Sequence, residues 1–534
     1  MLKKIQQLRG AFSLTQTQLT VLVIGYLWLL NNVANHHLSA TLQVGWVAFA
    51  LVALSLMLGM WHRYLLKAIL SLHLIVTSIA LFAKINYQTT LTEDIMLSAL
   101  ISEADLTVEM ISPKFVLWVM LTAGLPMMLV WWVNIRQQAW LKQLLSDTLT
   151  IVVALMIGVL WIKAKGYDFR VKGQIRDARF VQDITKFSPV DAEYSLHRAW
   201  RAKKSMQAMY ANVELMTQTH QYQATNDDLL VVFVIGESTR GNHFALNGYP
   251  RATTPKLAKI QGLYSLKNAT SCDTLTINSV HCLASPMLKT QADRKVHQSS
   301  FGQVFHEMGY HTELYSLQTL TGFYDYLYPD KLVTKYTVLN EQPTGAKDKS
   351  LLPYAKQAIQ SYDSGKQLLI FHTLGVHQTY ADRFDPSDVG FEPYCQDANV
   401  AKCDTASLIN AYDNGILAVD NFLAQMIEML KDKKAVFIYV SDHGESLGEN
   451  GQYFHGQPVA TAPKEQFDIA FLAWFSEPYK ATPQGKVLSE NFARHLSRGT
   501  AVSHDNIFHS LLGCAGIRSP NGGIDSKLNL CEDF

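Results

Sequence analysis

Metal-ligand residue types stand at the ends of three apolar, β-rich runs in the second half of the chain. They are Glu237 after the run 229–235, His372 at the end of 368–372 with His377 just beyond it, and Asp442, His443 and Glu445 after 435–441. Carboxylate and imidazole ligands suit a hard-to-borderline divalent ion, and Zn²⁺ binds such sets with one position left open for chemistry. A lone Asp-His pair is more often a turn or a helix cap, but three such strand ends together predict a metal site.

The runs that carry these residues are typical of strands buried in one sheet. The runs 229–235, 368–372, 435–441 and 469–475 are continuously apolar, which favours burial on both faces of a largely parallel sheet. A helical segment at 406–431 lies between two of them. Ligands of open α/β folds collect at the carboxyl ends of the strands. The sequence therefore predicts an α/β domain with its chemistry at that edge.

The composition indicates a chain with two unlike parts. Its 534 residues exceed one typical domain, a net charge of +1 favours no nucleic-acid partner, and 48% hydrophobic residues exclude disorder. A helix needs about 20 residues to cross a membrane, and several runs in this chain are close to that length. A single such run can be a buried helix of a globular domain. Five runs in succession instead predict five transmembrane helices. These apolar runs fill the first third: 18–33, 42–60, 65–84, 115–133 and 148–163.

The loops between these runs carry charge unequally. Basic residues gather on one side of the predicted membrane, at Lys3, Lys4, Arg9, Arg63, Lys67, Arg136 and Lys142. The opposite loops are poor in Lys and Arg, and the stretch 86–114 is acidic. The positive-inside rule then places the N-terminus in the cytoplasm and everything after residue 165 outside it. We expect a multi-pass membrane protein with its large polar domain on the extracytoplasmic side.

The cysteines agree with an exported domain. All six lie after the last apolar run: Cys272, Cys282, Cys395, Cys403, Cys514 and Cys531. Disulfides persist in oxidising compartments such as the bacterial periplasm. Pairing in sequence order closes three short loops, and we predict these disulfides. Other pairings, free thiols or a metal site stay open alternatives, although no CxxC pair is present.

A charged bridge connects the two parts, so that we predict a membrane domain at 1–163, a linker at 164–228 and a catalytic domain at 229–534. The stretch 192–216 mixes aromatic and basic residues. Such a stretch can lie on the membrane face, with aromatic rings in the interface and basic groups near lipid phosphate. A helix packed against its own domain is an equal alternative.

These features, in this order, resemble the membrane phosphoethanolamine transferases of Gram-negative bacteria, which include the colistin-resistance enzymes. The resemblance covers essentially the whole chain and implies a multi-pass protein of the bacterial inner membrane with its catalytic domain in the periplasm. Its most specific blocks are VVFVIGESTRGNHFALNGYPRATTPKLA from Val231, TSCDTLTINSVHC from Thr270, FHTLGVH from Phe371, YDNGILAVD from Tyr412 and SDHGESLGENGQYFHG from Ser441. The family's exported domain has the alkaline-phosphatase/sulfatase fold, which agrees with the predicted sheet.

The resemblance implies a role for each matching residue. It implies that Glu237, Asp442 and His443 hold a catalytic Zn²⁺ together with Thr276, the nucleophile. The residues alone do not separate Thr276 from its hydroxyl-bearing neighbours Thr274, Ser271 and Ser279. His377 and His455 are implied to lie near the site, where they contact substrate phosphate, transfer protons or hold a second metal ion. His372 and Glu445 are weaker candidates that support the ligands.

The implied reaction is a two-step transfer between lipids. Thr276 attacks the phosphorus of phosphatidylethanolamine, diacylglycerol leaves, and an acceptor on lipopolysaccharide takes the phosphoethanolamine. Both substrates lie in membranes, which explains the five predicted helices, and we expect a monomer without a nucleic-acid partner. Ser98, Ser102 and Glu109 occupy the loop where the family engages substrate head groups. Solvated loop residues are the alternative for these three.

Departures from the colistin-resistance branch bear on the acceptor. The segment LYSLQTLTGFYDYLYPD at 314–330, with Tyr315 and Gln318, resembles the branch that modifies the Kdo sugar of the inner core. We therefore expect an acceptor in Kdo2-lipid A, with the sugar ahead of the lipid A phosphate. Polymyxin resistance would require the added amine to offset anionic charge at the cell surface.

Two other functions compete with this interpretation. A phosphoglycerol transferase of lipoteichoic acid synthesis combines five spans with the same exported fold and a threonine nucleophile, but the paired cysteines and the GES and DHGES blocks argue against it. A non-catalytic membrane scaffold or sensor would be expected to lose ligands. Glu237, Thr276, Asp442 and His443 are all retained.

Overall fold

The chain folds into two compact units. A computed structural model describes residues 13–35, 48, 50–58, 62–87, 91–101, 112–136, 139–166, 187–291, 295–318, 323–327, 335–338, 347–397 and 400–533. The first unit comprises Met1–Met96 and Met110–Trp200, and the second comprises Leu97–Glu109 and Arg201–Phe534.

Helices make up most of the described residues before residue 211. They are α1 (Gln16–Asn35), α2 (Arg63–Tyr87), α3 (Glu93–Ile101), α4 (Pro113–Trp132), α5 (Trp140–Lys165) and α6 (Val190–Tyr210), and residues 50–58 are also helical. Two short strands, β1 (Ser13–Leu14) and β2 (Asn134–Ile135), pair in parallel. The helix α4 begins at Pro113, where the Ser112 hydroxyl accepts a hydrogen bond from the backbone N–H of Phe115.

In the part of the chain that the structure describes, three helices have the length and hydropathy to cross a membrane, and they are α2, α4 and α5. Leu121 on α4 and Leu160 on α5 are exposed apolar side chains, as a lipid-facing surface requires. The first predicted span coincides with α1, and the second lies partly outside the described residues. The count of five spans therefore stays a prediction.

Buried charges in the first unit are paired. Asp147 of α5 accepts hydrogen bonds from the Thr17 hydroxyl at 2.8 Å and from the Gln143 amide at 2.8 Å. His73 Nδ1 of α2 lies 2.7 Å from Glu193 Oε1 of α6. Ionisable groups among apolar helices are costly unless paired, so these contacts fix α5 to α1 and α6 to α2.

A seven-stranded sheet organises the second unit. Its order is β5 (Leu263–Ser265), β14 (Phe471–Phe475), β10 (Ala435–Ser441), β4 (Leu229–Gly236), β9 (Lys366–His372), β7 (His311–Ser316) and β8 (Lys335–Val338). The five strands from β10 to β8 are parallel, which confirms the largely parallel sheet, although β7 and β8 are not among the predicted runs. Short pairs join β3 (Gln223–Ala224) to β15 (Ile517–Arg518), β6 (Ala269–Thr270) to β13 (Asp468–Ile469), and β11 (Ser446–Leu447) to β12 (Tyr453–Phe454).

One strand prediction needs correction. The run 469–475 forms two strands, β13 and β14, and β14 runs antiparallel to β10. A continuous apolar run encodes burial but not direction, so the sequence pattern did not reveal this reversal. The carbonyl of Ala470, between the two strands, accepts the backbone N–H of Ser441.

Helices and disulfides complete the second unit. The helices are α7 (Met216–Thr219), α8 (Thr276–Ala284), α9 (Phe301–Glu307), α10 (Phe323–Leu327), α11 (Leu352–Gln360), α12 (Thr405–Leu430), α13 (Glu477–Lys480), α14 (Pro483–Arg498) and α15 (Ile507–Cys514). The helix α12 confirms the predicted segment 406–431 and packs its apolar face into the main core. The three predicted disulfides are present: Cys272–Cys282, Cys395–Cys403 and Cys514–Cys531.

Candidate active site and metal centre

The predicted ligands of β4 and β10 converge at the carboxyl edge of the sheet. These strands are parallel neighbours with Gly236 opposite Ser441, so the residues that follow lie side by side. His443 Nε2 is 3.3 Å from Glu237 Oε1 and 3.3 Å from Asp442 Oδ2. All three side chains are buried. The parallel register thus brings two carboxylates and an imidazole to one point.

Thr276 completes this cluster from the start of α8. Its Oγ1 lies 3.1 Å from Glu237 Oε2 and 3.2 Å from His443 Nε2. The Asp273 carboxylate accepts the backbone N–H groups of Thr274 and Leu275, which fixes the turn before the helix. The positive end of the α8 dipole stabilises negative charge at Thr276. The structure thus brings together Glu237, Thr276, Asp442 and His443, the four residues for which the family resemblance implies a shared metal site.

The orientation of Glu237 depends on three neighbours. Ser238 Oγ donates to Glu237 Oε1 at 2.7 Å, and Gln318 Nε2 donates to Oε2 at 2.9 Å. Gly375 packs against the backbone of Glu237, where an added Cβ would come 2.1 Å from the carbonyl oxygen. Ser238 itself has a positive φ of 53°, a strained conformation that recurs at functional sites.

The chemistry of the cluster fits a divalent metal ion. His443 Nδ1 donates to the carbonyl of Gly444 at 2.8 Å, and burial lowers the pKa of His443 to about 3, so Nε2 carries a lone pair. Asp442 Oδ2 is buried without a hydrogen-bond partner in the part of the chain that the structure describes. Burial and the nearby Glu237 carboxylate raise the pKa of Asp442. A cation bound by Glu237, Asp442 and His443 would offset the two carboxylate charges and accept the imidazole lone pair. The ligand atoms of these three residues lie within 4.8 Å of one another.

His377 and His455 lie beside this cluster. The ring centroid of His455 is 4.1 Å from that of His443 and 5.3 Å from that of His377. Glu237, His377 and His455 form a second group that could hold a metal ion. Burial lowers the pKa of His377 to about 3, and its buried Nδ1 has no hydrogen-bond partner among the described residues. The sequence prediction that both histidines lie near the site is therefore consistent with the geometry.

Glu445 is bound between His455 and a tyrosine. Its Oε2 lies 2.7 Å from His455 Nδ1, and its Oε1 accepts the Tyr380 hydroxyl at 2.7 Å. Burial lowers the pKa of His455, but the Glu445 carboxylate outweighs that effect and raises it. His455 thus has one ring nitrogen fixed by Glu445.

His372 lies behind the cluster rather than within it. Its Nδ1 is 2.7 Å from the Tyr324 hydroxyl, and burial lowers its pKa to about 4. The sequence did not reveal that Gln318, Tyr324 and Tyr380 contact site residues. Gln318 bonds to Glu237 across 81 positions of sequence, Tyr324 to His372 across 48 and Tyr380 to Glu445 across 65, and no local pattern points to such contacts.

The predicted head-group residues are not tested by the structure. Ser98 lies in α3, but its side chain is outside the described part of the molecule. Ser102 and Glu109 lie outside the described residues altogether. Their role in substrate binding stays a prediction.

Two family models divide the chain much as the structure does. Residues 230–517 match the sulfatase family, and residues 47–201 match a family described as phosphoethanolamine transferase EptA/EptB. The fold and the site thus define a sulfatase-like domain joined to a helical membrane region.

Individual relatives extend along nearly the whole chain. The Kdo(2)-lipid A phosphoethanolamine 7''-transferase of Salmonella typhimurium is 28% identical over 97% of both chains. The phosphatidylethanolamine transferase Mcr-1 of Escherichia coli is 30% identical over 89% of this chain and 88% of its own. The integral membrane lipooligosaccharide phosphoethanolamine transferase A of Neisseria meningitidis superposes with a TM-score of 0.79 at 23% identity, covering 97% of this chain and 98% of that one. This chain belongs to the phosphoethanolamine transferase family.

Proposed function

We propose that this protein is a zinc-dependent transferase that moves phosphoethanolamine from phosphatidylethanolamine to the Kdo2-lipid A part of lipopolysaccharide. One observation carries the proposal. The Thr276 hydroxyl lies at a helix N-terminus within 3.2 Å of both Glu237 and His443. The cluster also includes an Asp442 oxygen that is buried and has no hydrogen-bond partner among the described residues. A hydroxyl among metal ligands is the arrangement that an activated nucleophile requires.

Glu237, Asp442 and His443 would hold the zinc ion, with Thr276 as the fourth residue of the site. When bound, Zn²⁺ would favour the ionised threonine and offset negative charge on the phosphoryl oxygens. The donor set of two carboxylates, one imidazole and one hydroxyl suits zinc. A second ion between Glu237, His377 and His455 is the alternative use of these histidines. It would occupy the His455 nitrogen that Glu445 leaves free, so the steps below are those of the site with one ion.

In the first step, Thr276 Oγ1 forms a bond to the donor phosphorus, and the bond from phosphorus to the glycerol oxygen breaks. The Thr276 hydroxyl, which donates to Glu237 Oε2 at 3.1 Å, loses its proton to water, and Glu237 stays ionised as a ligand. His455 gives a proton from Nε2 to the departing oxygen, which produces diacylglycerol. Glu445 at Nδ1 balances the positive charge of His455 before that transfer.

In the second step, His455 Nε2 takes the proton of the acceptor hydroxyl. The acceptor oxygen forms a bond to phosphorus, the bond to Thr276 Oγ1 breaks, and the threonine oxygen recovers a proton from water. Because the same residues serve both steps in reverse order, the enzyme returns to its starting state. The two substrates share one nucleophile and therefore bind in turn.

The acceptor and the cellular arrangement belong to the same proposal. The Salmonella relative acts on Kdo(2)-lipid A by its name, and it matches this chain from end to end. We place the catalytic domain (229–534) in the periplasm, beyond a membrane domain (1–163) and a linker (164–228), in a monomer. A catalytic domain on that side would meet lipopolysaccharide before its export.

Purified full-length protein in detergent tests the activity. We expect bound zinc, and release of fluorescent diacylglycerol from labelled phosphatidylethanolamine. Release from phosphatidylglycerol instead would indicate phosphoglycerol transfer, and release from neither lipid would indicate a non-catalytic protein.

Mass spectrometry of lipopolysaccharide from expressing cells tests the acceptor. After mild acid removes the Kdo sugars, we expect the phosphoethanolamine to leave with the sugar. Retention of the group on the released lipid A would reject the Kdo acceptor while leaving the transferase activity intact.

A further inference from the structure

A buried histidine outside the metal cluster joins the two segments that form the active site. His504 is fully buried in a 3₁₀ turn at His504–Asn506. The backbone N–H of Cys272 donates to its Nδ1 at 3.3 Å. Its Nε2 lies 3.0 Å from the carbonyl of Ser441. One imidazole ring thus bonds to the loop before Thr276 and to the last residue of β10.

These two bonds define the protonation state of the ring. A backbone N–H only donates and a carbonyl only accepts, so Nδ1 is the acceptor and Nε2–H the donor. That is one tautomer of the neutral imidazole. Burial lowers the pKa of His504 to about 4, so the neutral form is the one present near neutral pH. Both bonds can therefore persist together.

The segments joined by His504 carry the nucleophile and two of the ligands. Cys272 begins the loop that leads to Thr276, and Ser441 directly precedes Asp442 and His443. The Ser441 hydroxyl also donates to the carbonyl of His443 at 3.0 Å. A shift of either segment would change the distance from Thr276 Oγ1 to His443 Nε2.

The segment that contains His504 is itself fixed to the nucleophile loop. The backbone N–H of Thr270 donates to the carbonyl of Val502 at 3.0 Å, and Thr270 pairs with Ser503 in a parallel bridge. The Ser503 side chain caps the turn that carries the ring. The histidine is therefore held on a rigid support beside the loop.

We propose that His504 is a positioning residue of the transfer reaction, which keeps the Cys272–Thr276 loop in register with the end of β10. This inference rests on the proposed function. A nucleophile displaced by about 1 Å can lose about 100-fold in rate, so two bonds at this junction affect turnover without contact with substrate.

Three substitutions of His504 test its two hydrogen bonds together and one at a time. His504→Leu removes both. His504→Asn retains an acceptor in the place of Nδ1, and His504→Gln retains a donor in the place of Nε2. His509→Leu is the matched control, because His509 is also buried, in α15, and its Nδ1 also accepts a backbone N–H, from Asp525 at 3.1 Å.

Two readouts are taken on full-length protein in detergent. Hydrogen exchange of the peptide 270–283 reports on the loop independently of activity. Single-turnover formation of the phosphoethanolamine adduct on Thr276, with the KM for labelled phosphatidylethanolamine, reports on the reaction. We expect His504→Leu to increase exchange and to lower the adduct rate by about 10- to 100-fold with little change in KM. His509→Leu should leave both readouts close to wild type.

The conservative variants keep the test decisive if His504→Leu does not fold. We expect His504→Asn, which retains the bond to the nucleophile loop, to keep slower exchange and a faster adduct rate than His504→Gln. Wild-type exchange and rate in both variants would overturn the inference. Absence of the adduct in the wild-type protein would count against the proposed function instead, and the exchange data would still decide whether His504 holds the loop.

Discussion

At the scale of single residues, a buried carboxyl supports the loop that packs against Glu237. Asp348 Oδ1 accepts the backbone N–H groups of Leu374 and Gly375 at 2.8 and 3.2 Å. The next residue, Val376, donates its own N–H to the carbonyl of Glu237 at 3.0 Å. Asp348 thus contributes to the position of a predicted metal ligand without contact with the metal site.

Burial of Asp348 predicts an unusual dependence of stability on pH. It raises the pKa of Asp348 from 3.8 to about 6, so the native state binds more protons than the unfolded state between these values. Ionisation of Asp348 therefore lowers the free energy of unfolding as pH rises from 3.8 to about 6, and the full loss is reached above that window. We expect Asp348→Asn, which keeps the acceptor oxygen, to raise the free energy of unfolding at pH 8 by up to about 3 kcal/mol. The gain should vanish near pH 4, as measured by thermal unfolding at both pH values.

Asp385 provides a control of opposite sign. Hydrogen bonds from Lys347 and Lys349 lower its pKa, so its charged form stabilises the fold above the pKa of the unfolded chain. Asp385→Asn should therefore lose stability at pH 8. A gain for Asp385→Asn, or no pH dependence for Asp348→Asn, would contradict this account of the two carboxyls.

The sequence predicted some of these residues better than others. Glu237, Asp442 and His443 follow strands directly, so the sheet brings them together without further information. Thr276 lies at the start of a helix after a loop, and only the family resemblance separated it from its neighbours. Gln318 and His504 contact the site across 81 and 232 residues of sequence, and no local pattern reveals such contacts.

At the scale of elements, the nucleophile loop is enclosed by a disulfide. Cys282 lies in α8 and Cys272 lies in the loop before it, so their bond closes a segment that contains Thr276. The other short disulfide, Cys395–Cys403, closes a segment of similar length before α12. The sequence predicted this pairing and the parallel strands, but not the reversal of β14, because apolar runs encode burial without direction.

These two disulfides form a matched pair for an experiment. Removing either by double Cys→Ser substitution should cost about 2–3 kcal/mol, because the closed loops are of similar length. Only the loss of Cys272–Cys282 should also lower the transfer rate of the folded protein, by about tenfold or more, since it frees the nucleophile loop. Unfolding curves and transfer assays below the unfolding temperature measure both effects. Equal rates for the two variants would show that the disulfide does not position Thr276.

At the scale of the whole molecule, the chain joins apolar helices to a polar enzyme unit. Among the described residues, three helices have the length and hydropathy to span a membrane, and the three disulfides all lie in the second unit. Disulfides persist where the environment is oxidising, so their distribution supports export of that unit. Averaged over the chain, the two parts give a nearly neutral charge of +1 that hides this division.

Reporter fusions in a Gram-negative host test the orientation. An alkaline phosphatase fused after Phe534 should be active, because that enzyme needs the periplasm to form its disulfides. The same reporter fused after Arg136, on the basic side of the predicted membrane domain, should be inactive, and a green fluorescent protein fusion should show the reverse pattern. An active reporter at Arg136 with an inactive one at Phe534 would invert the proposed topology.

The covalent adduct on the nucleophile tests the central claim most directly. Full-length wild-type protein and Thr276→Ala are incubated with phosphatidylethanolamine without acceptor, and their peptides are analysed by mass spectrometry. We expect phosphoethanolamine on Thr276 in the wild type, and neither adduct nor transfer in Thr276→Ala, although its thermal unfolding should be close to wild type. Normal turnover in Thr276→Ala, or an adduct on another residue, would contradict the proposed mechanism.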